Sequence, residues 1–300
     1  MNQLYSAQKR KNIMLCYPFS EKRLAKWGYP VITQPKLDGD RCRAVSYPGA
    51  ETELYTSEEN VRTSVPHVLH QIKQLRSLYC DEYDEPLPEL DGELYHHGTD
   101  HDTIRSIVSR TKNLHAAHET IELHIFDLCD ETINQLERLQ LLMHRIGSLI
   151  IYHKLDKLRI VKPEFAHSFN DVYSKFESYC NKGYEGIILR NPTNLYVRKR
   201  STNMMKFKPK KDDYYEITGY EEERDIYGEP KNSLGSLLCT SGDDNQLFNV
   251  GSGFTSNQRK QLWRDRKSLP GKIVRISYQH LTPGRGVPLF PVFMEVPEDE

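Results

Sequence analysis

"QPKLDGDRC", residues 34–42, sets a strongly hydrated lysine, Lys36, just beyond the run Tyr29-Pro30-Val31-Ile32, then adds Asp38, Gly39, Asp40 and Arg41. The default for a lysine at a strand end is to snorkel to water. Its surroundings permit a second reading, because burial and nearby cations favour the neutral form of an amine, and a neutral amine is a nucleophile. Gly39 permits a tight turn and a close backbone approach, and the guanidinium fork of Arg41 matches phosphate oxygens. The stretch therefore predicts two strands, 31–34 and 42–46, around a turn that can seat a phosphate against an amine.

Outward from this turn, strand-like and helix-like segments alternate. Val65, Val68, Leu69, Ile72, Leu75 and Leu78 repeat at helical spacing until the two prolines of DEYDEPLPE, 81–89, interrupt them. A strand is predicted at 90–95, a helix capped by Asp100 or Asp102 and running through Val108, and a strand at 121–128. Leu136, Leu139, Leu142, Met143 and Ile146 form a second apolar stripe. Phe169, Val172, Phe176 and Tyr179 form a third, stopped by Gly183, and GIILR (186–190) reads as a buried strand. After KFKPKK, 206–211, five short strand candidates are separated by Gly, Asn and Asp turns, with one helix at 255–266. That pattern, in about ninety residues, suits a small OB-type β-barrel. The expected fold is α+β with two domains, a mixed α/β domain at 1–211 and an OB-type barrel at 212–300.

The net charge is −1, so attraction to nucleic acid must come from local patches of Lys and Arg. The six cysteines contain no CxxC pair, which argues against a zinc cluster or a disulfide scaffold and for reduced thiols in the cytoplasm. The N-terminal apolar stretch is too short for a signal-peptide core, and no window approaches 18 apolar residues, so no membrane span is expected.

Further candidates stand at strand edges. Alternation puts Asp91 and Glu93 of LDGELY on one face, as a solvated face would also do. Glu185 of YEGIILR precedes an apolar strand, where a carboxylate can bind a hard divalent cation. Phe126 of HIFDL is either ordinary core or a flat surface for a purine. VRKRSTNMMKFKPKK, 197–211, holds seven Lys or Arg and no acid, and alternation places Lys206 and Lys208 on the face opposite Phe207.

Taken in order, Lys-x-Asp-Gly-x-Arg, Asp-Gly-Glu, Phe-Asp, Glu-Gly, Lys-x-Lys and then a β-barrel resembles the covalent nucleotidyltransferases. Within them it is most similar to the small ATP-dependent DNA ligases of phages and large DNA viruses, from about Met14 to about Val296. The resemblance implies a nucleotidyltransferase (adenylation) domain before the OB-type domain. It also implies that Lys36 attacks the α-phosphate of ATP, that AMP passes to the 5′-phosphate of a nick in duplex DNA, and that the 3′-hydroxyl displaces it.

By the same resemblance, Arg41 contacts nucleotide and nick phosphates, Glu93 the ribose and Phe126 the face of adenine. Gln34 lies where the family meets the adenine edge, a contact that backbone can make. Lys206 and Lys208 grip the α-phosphate, while Glu185, with Asp38, serves a divalent metal, Mg2+ or Mn2+. Arg62, Arg198, Lys199, Arg200, Lys210 and Lys211 are the expected DNA contacts of a monomeric enzyme.

The chain departs from the family pattern twice. Where the family carries Ser-Arg after the nucleophile element, Ser57 is followed by Glu58, and Arg62 is the candidate replacement. Where it carries Arg-x-Asp-Lys near the C-terminus, this chain reads FPVFMEVPEDE, leaving Arg285 or a barrel lysine to substitute. An RNA ligase, an mRNA-capping guanylyltransferase using GTP, and a non-catalytic DNA-binding relative are the alternatives.

Overall fold

The computed structural model describes residues 11–47, 49–209, 211–241, 246–278, 281–282 and 285–297. Its strands are β1 Leu15–Pro18, β2 Val31–Lys36, β3 Asp40–Ser46, β4 Thr52–Thr56, β5 Leu90–Tyr95, β6 Glu122–Leu128, β7 Leu158–Ile160 and β8 Glu164–Ala166. There follow β9 Gly186–Arg190, β10 Arg200–Phe207, β11 Lys211–Arg224, β12 Pro230–Ser241, β13 Gln246–Val250, β14 Ile273–Tyr278 and β15 Val292–Glu295. The α-helices are α1 Glu21–Trp27, α2 Pro66–Tyr83, α3 His101–Val108, α4 Gln135–Leu141, α5 Gly147–Tyr152, α6 Phe169–Asn181 and α7 Ser256–Arg264.

Three five-stranded sheets result, ordered β1-β10-β9-β2-β8, β4-β3-β5-β6-β7 and β13-β12-β11-β14-β15. Residues 1–168 with 188–206 form one compact unit, and 169–187 with 207–300 form another. Helix α6 thus groups with the second unit, although it lies within the sequence span 1–211.

In the first unit, α2 buries Val68, Ile72, Leu75 and Tyr79 at helical spacing and packs against β4 and β7. Each such side chain contributes roughly 1.5–3 kcal/mol by leaving water. Asp100 caps α3 by accepting from the Thr103 amide, as its position predicts. The apolar stripe expected as one helix is α4 and α5 joined by a π-helical turn, Leu142–Ile146. Strands β1, β7 and β8 and helix α1 are too short to leave a periodic signal, and they were not expected.

In the second unit, Tyr215, Ile217, Leu237, Cys239, Val250, Phe254, Val274 and Ile276 belong to one core. The sheet is not closed into a barrel by continuous ladders among the described residues. An isolated bridge, Ser252 with Val292, joins the segment after β13 to β15, and the Phe293 amide donates to the Ser252 carbonyl at 2.8 Å. Helix α6 contributes Phe169, Tyr173 and Phe176 to an aromatic cluster with Phe207 and Phe290. No helix among the described residues is long and apolar enough to cross a membrane.

Candidate active site

Lys36 closes β2 half-buried, and the turn after it exposes Asp38. Gly39 is dictated by close approach: a Cβ there would stand 2.3 Å from the Leu94 carbonyl oxygen and 2.8 Å from Glu93 Cγ. Any side chain would force the turn after Lys36 away from β5.

Across the β3–β5 ladder Arg41 faces Glu93, and its guanidinium reaches the diagonal neighbour Asp91 through two bonds of 2.6 Å. Burial works against the Arg41 charge, but the Asp91 carboxylate outweighs it and holds the pKa above the ordinary arginine value. Asp91 also accepts from the Tyr196 hydroxyl at 2.7 Å. Glu93 has no such fork. Burial pushes its carboxyl up to about 7, against the opposing pull of Arg41 and Lys36.

Phe126 lies at a β-bulge. In the β5–β6 register Asp91 faces Asp127 and Gly92 faces Ile125, so Phe126 has no opposite number on β5. Bulges re-aim side chains. Here the ring carries Arg41 at 4.6 Å and Arg190 at 5.4 Å from its centroid. Gln34 is buried, with its amide donating to the carbonyls of Phe126 and Val161 and accepting from Arg190. Its side chain is thus spent inside the protein, which leaves its backbone for any edge contact.

Next to Phe126 in the chain, the aspartate of the Phe-Asp element anchors a network that sequence reasoning did not read. Asp127 is fully buried and accepts from Arg138 Nε at 2.9 Å, Arg190 Nη1 at 2.7 Å and Gln135 Nε2 at 3.1 Å. The sequence analysis gave Arg138 no role, and Arg190 entered it only as the last residue of the strand GIILR. Only the apolar residues around them in α4 and β9 hinted at burial.

In the second unit Glu185 and Lys208 form an ion pair. Gly186 makes this possible: its φ is +150°, and a Cβ would meet the Phe207 carbonyl oxygen at 2.2 Å. Lys206, in the first unit, is half-buried on β10, with its carbonyl accepting the Phe19 amide at 2.9 Å. No group of three or more His, Cys, Asp or Glu that could hold a metal is assembled among the described residues.

The expected DNA contacts separate by exposure. Lys199, Arg200 and Lys211 are exposed. Arg198 is held by Glu89 at 2.8 Å and Glu131 at 2.7 Å. Arg62 is buried, pairs with Asp40 and donates to the Val108 carbonyl, so its guanidinium serves the protein wall. Lys210, Asp299 and Glu300 lie outside the described residues. Arg285 donates to the Leu247 carbonyl at 3.0 Å.

Comparison with known proteins gives two family matches. A family profile described as ATP dependent DNA ligase domain matches residues 13–208, and one described as DNA ligase OB-like domain matches 227–296. A DNA ligase of Haemophilus influenzae is 25% identical over 210 residues, 70% of this chain and 72% of that protein. A DNA ligase of African swine fever virus is 26% identical over 278 residues, 86% of this chain and 61% of the viral protein's length. Among solved structures, a Chlorella virus DNA ligase-adenylate gives a TM-score of 0.70 at 20% identity, over 96% of this chain and 98% of that one. The ATP-dependent DNA ligase of bacteriophage T7 in complex with ATP gives 0.73 at 17% identity, over 95% and 98%. At these identities the two structures speak for the fold.

Proposed function

Because the chain belongs to the ATP-dependent DNA ligase family, we propose that it seals nicks in duplex DNA through a lysyl-AMP intermediate on Lys36. The observation that carries this reading is the packing of the Lys36 turn onto β5, where the Lys36 charge acts on Glu93, Arg41 faces Glu93 across the ladder, and Arg41 lies over the Phe126 ring.

In the first step Lys36 Nζ forms a bond to the α-phosphorus of ATP. The bond to the bridging oxygen breaks, pyrophosphate leaves with the electron pair, and the amine proton passes to solvent. An oxygen of the nick 5′-phosphate then takes the adenylyl group, breaking the P–N bond, and Lys36 regains its proton. Finally the 3′-hydroxyl oxygen bonds to the 5′-phosphorus, its proton passes to solvent, and AMP departs with the bridging oxygen and its electron pair. Positioning and charge neutralisation do most of the work in such displacements.

Arg41, Lys206 and Lys208 are assigned to phosphate oxygens, Glu93 to the ribose, Phe126 to the adenine face and the Gln34 backbone to its edge. Mg2+ or Mn2+ is assigned to Glu185, with Asp38 assisting. Magnesium is commonly bound by one or two carboxylates together with substrate phosphates, and Glu185 is a part-exposed carboxylate of that kind. When bound, the ion neutralises developing phosphate charge. Lys199, Arg200 and Lys211, with Lys210, are assigned to the DNA backbone, so affinity should fall steeply with salt. The working form is a cytoplasmic monomer, with the functional boundary between 1–211 and 212–300.

The test is sealing of a singly nicked duplex with ATP and magnesium, beside Lys36→Ala. Closure by the parent, with labelling of the protein by α-labelled ATP, and neither from the variant is expected. Equal closure by both proteins sinks the assignment of Lys36.

A further inference from the structure

We propose that Arg190 is a positioning residue for adenylylation: through Gln34 it locks the Phe126 platform and the strand that delivers Lys36 into one rigid piece. The inference rests on the proposed role of Lys36 and deepens it.

Strands β9 and β2 are neighbours, which brings the end of β9 beside Gln34. Arg190 Nε donates to Gln34 Oε1 at 2.8 Å, while Arg190 Nη1 donates to Asp127 Oδ2 at 2.7 Å. Gln34 in turn donates to the carbonyl of Phe126, the residue left without a β5 partner by the bulge, at 3.1 Å. Gln34 also donates to the Val161 carbonyl at 3.0 Å. Gln34 and Lys36 are two residues apart on one strand, so their side chains leave the same face. A shift of Arg190 therefore moves the ring and the amine together.

Arginine is required by this geometry. Its planar fork serves Gln34, Asp127 and, at 3.3 Å, Gln135 at fixed angles, whereas an ammonium is a point charge on a flexible stem. The surrounding charges point the same way. Three guanidiniums, Arg41, Arg138 and Arg190, share the carboxylates Asp91 and Asp127. Burial, reinforced by Arg41 and Arg138 and opposed by Asp127, lowers the Arg190 pKa. An anionic nucleotide entering beside Phe126 would meet that cationic surplus.

The experiment compares Arg190→Lys and Gln34→Met with Gln135→Met, which removes a donor to Asp127 and the 3.3 Å acceptor of Arg190 but leaves the Arg190–Gln34–Phe126 link in place. Three quantities are read: lysyl-AMP formation in a single turnover across ATP concentrations, sealing of a pre-adenylylated nick, and Tm. Arg190→Lys and Gln34→Met should slow lysyl-AMP formation at saturating ATP by about 10- to 100-fold, the scale of a misplaced reacting group. Their KM for ATP and their sealing of the pre-adenylylated nick should stay within about threefold, because uniform binding is not what is lost. Gln135→Met should lower Tm without slowing adenylylation selectively.

Losses in every step that simply follow Tm, or adenylylation left intact in both linked variants, would overturn the inference. A parent that forms no adenylate on Lys36 overturns the proposed function first and this inference with it.

Discussion

The two compact units handle charge in opposite ways. Around Phe126, Asp127 is buried and shared by two guanidiniums, and Asp91 by Arg41 and Tyr196. In the second unit Glu185 pairs with Lys208 at a partly exposed site, and Arg275 bridges Asp212 and Glu295 on the surface. Charges bonded several times over and shielded from water cannot exchange partners cheaply, whereas shallow pairs can. The first arrangement holds a geometry; under the proposed function, the second would let Glu185 and Lys208 trade each other for a cation and a phosphate.

The sharpest way to break this contrast is Asp127→Ala, which strands two buried guanidiniums. A loss of about 3–5 kcal/mol is expected from urea unfolding. A loss below about 1 kcal/mol would show that the network is not holding the unit together.

Glu93 sharpens the contrast through pH. Burial, opposed by Arg41 and Lys36, raises its carboxyl from 4.5 to about 7, so between those values the folded chain keeps a proton that the unfolded chain has released. That contribution to stability is present below pH 4.5 and is lost as pH rises to about 7. Glu93→Gln should gain on the parent across that window; parallel stability curves would contradict the burial of this carboxyl.

Glu185→Gln should cost at most about 1 kcal/mol, because its partner is part-exposed. It should nevertheless slow lysyl-AMP formation by more than about tenfold, if a cation depends on that carboxylate. Unaltered adenylylation would remove Glu185 from the metal assignment. Least of all, Arg275→Ala should change stability by no more than about 0.5 kcal/mol, as surface substitutions usually do. A larger loss would show that the surface pairs act as a network.

Much of this was legible from the chain alone. The strand at 90–95 is β5, the stripe from Phe169 is α6, and GIILR is β9, because each repeats its apolar period long enough to be read and ends at a Gly, Pro or acidic cluster. The tight fit at Gly186 was not singled out, whereas Gly39 was readable as a point of close approach. The inward turn of Arg62, Arg138 and Arg190 was not, because an arginine spells surface until a distant carboxylate or carbonyl is known to face it. The bulge at Phe126 was equally silent, since one unpaired residue leaves the strand's composition unchanged.

The bridge between Ser252 and Val292 has a consequence for life in a crowded solution. Edge strands offer unpaired amides and carbonyls as templates for another chain, and here the Phe293 amide is already claimed by Ser252. Gly253, at φ +92°, permits that seam, since a Cβ there would stand 2.4 Å from the Phe293 carbonyl oxygen. Gly253→Val should therefore open a path to aggregation before it touches catalysis.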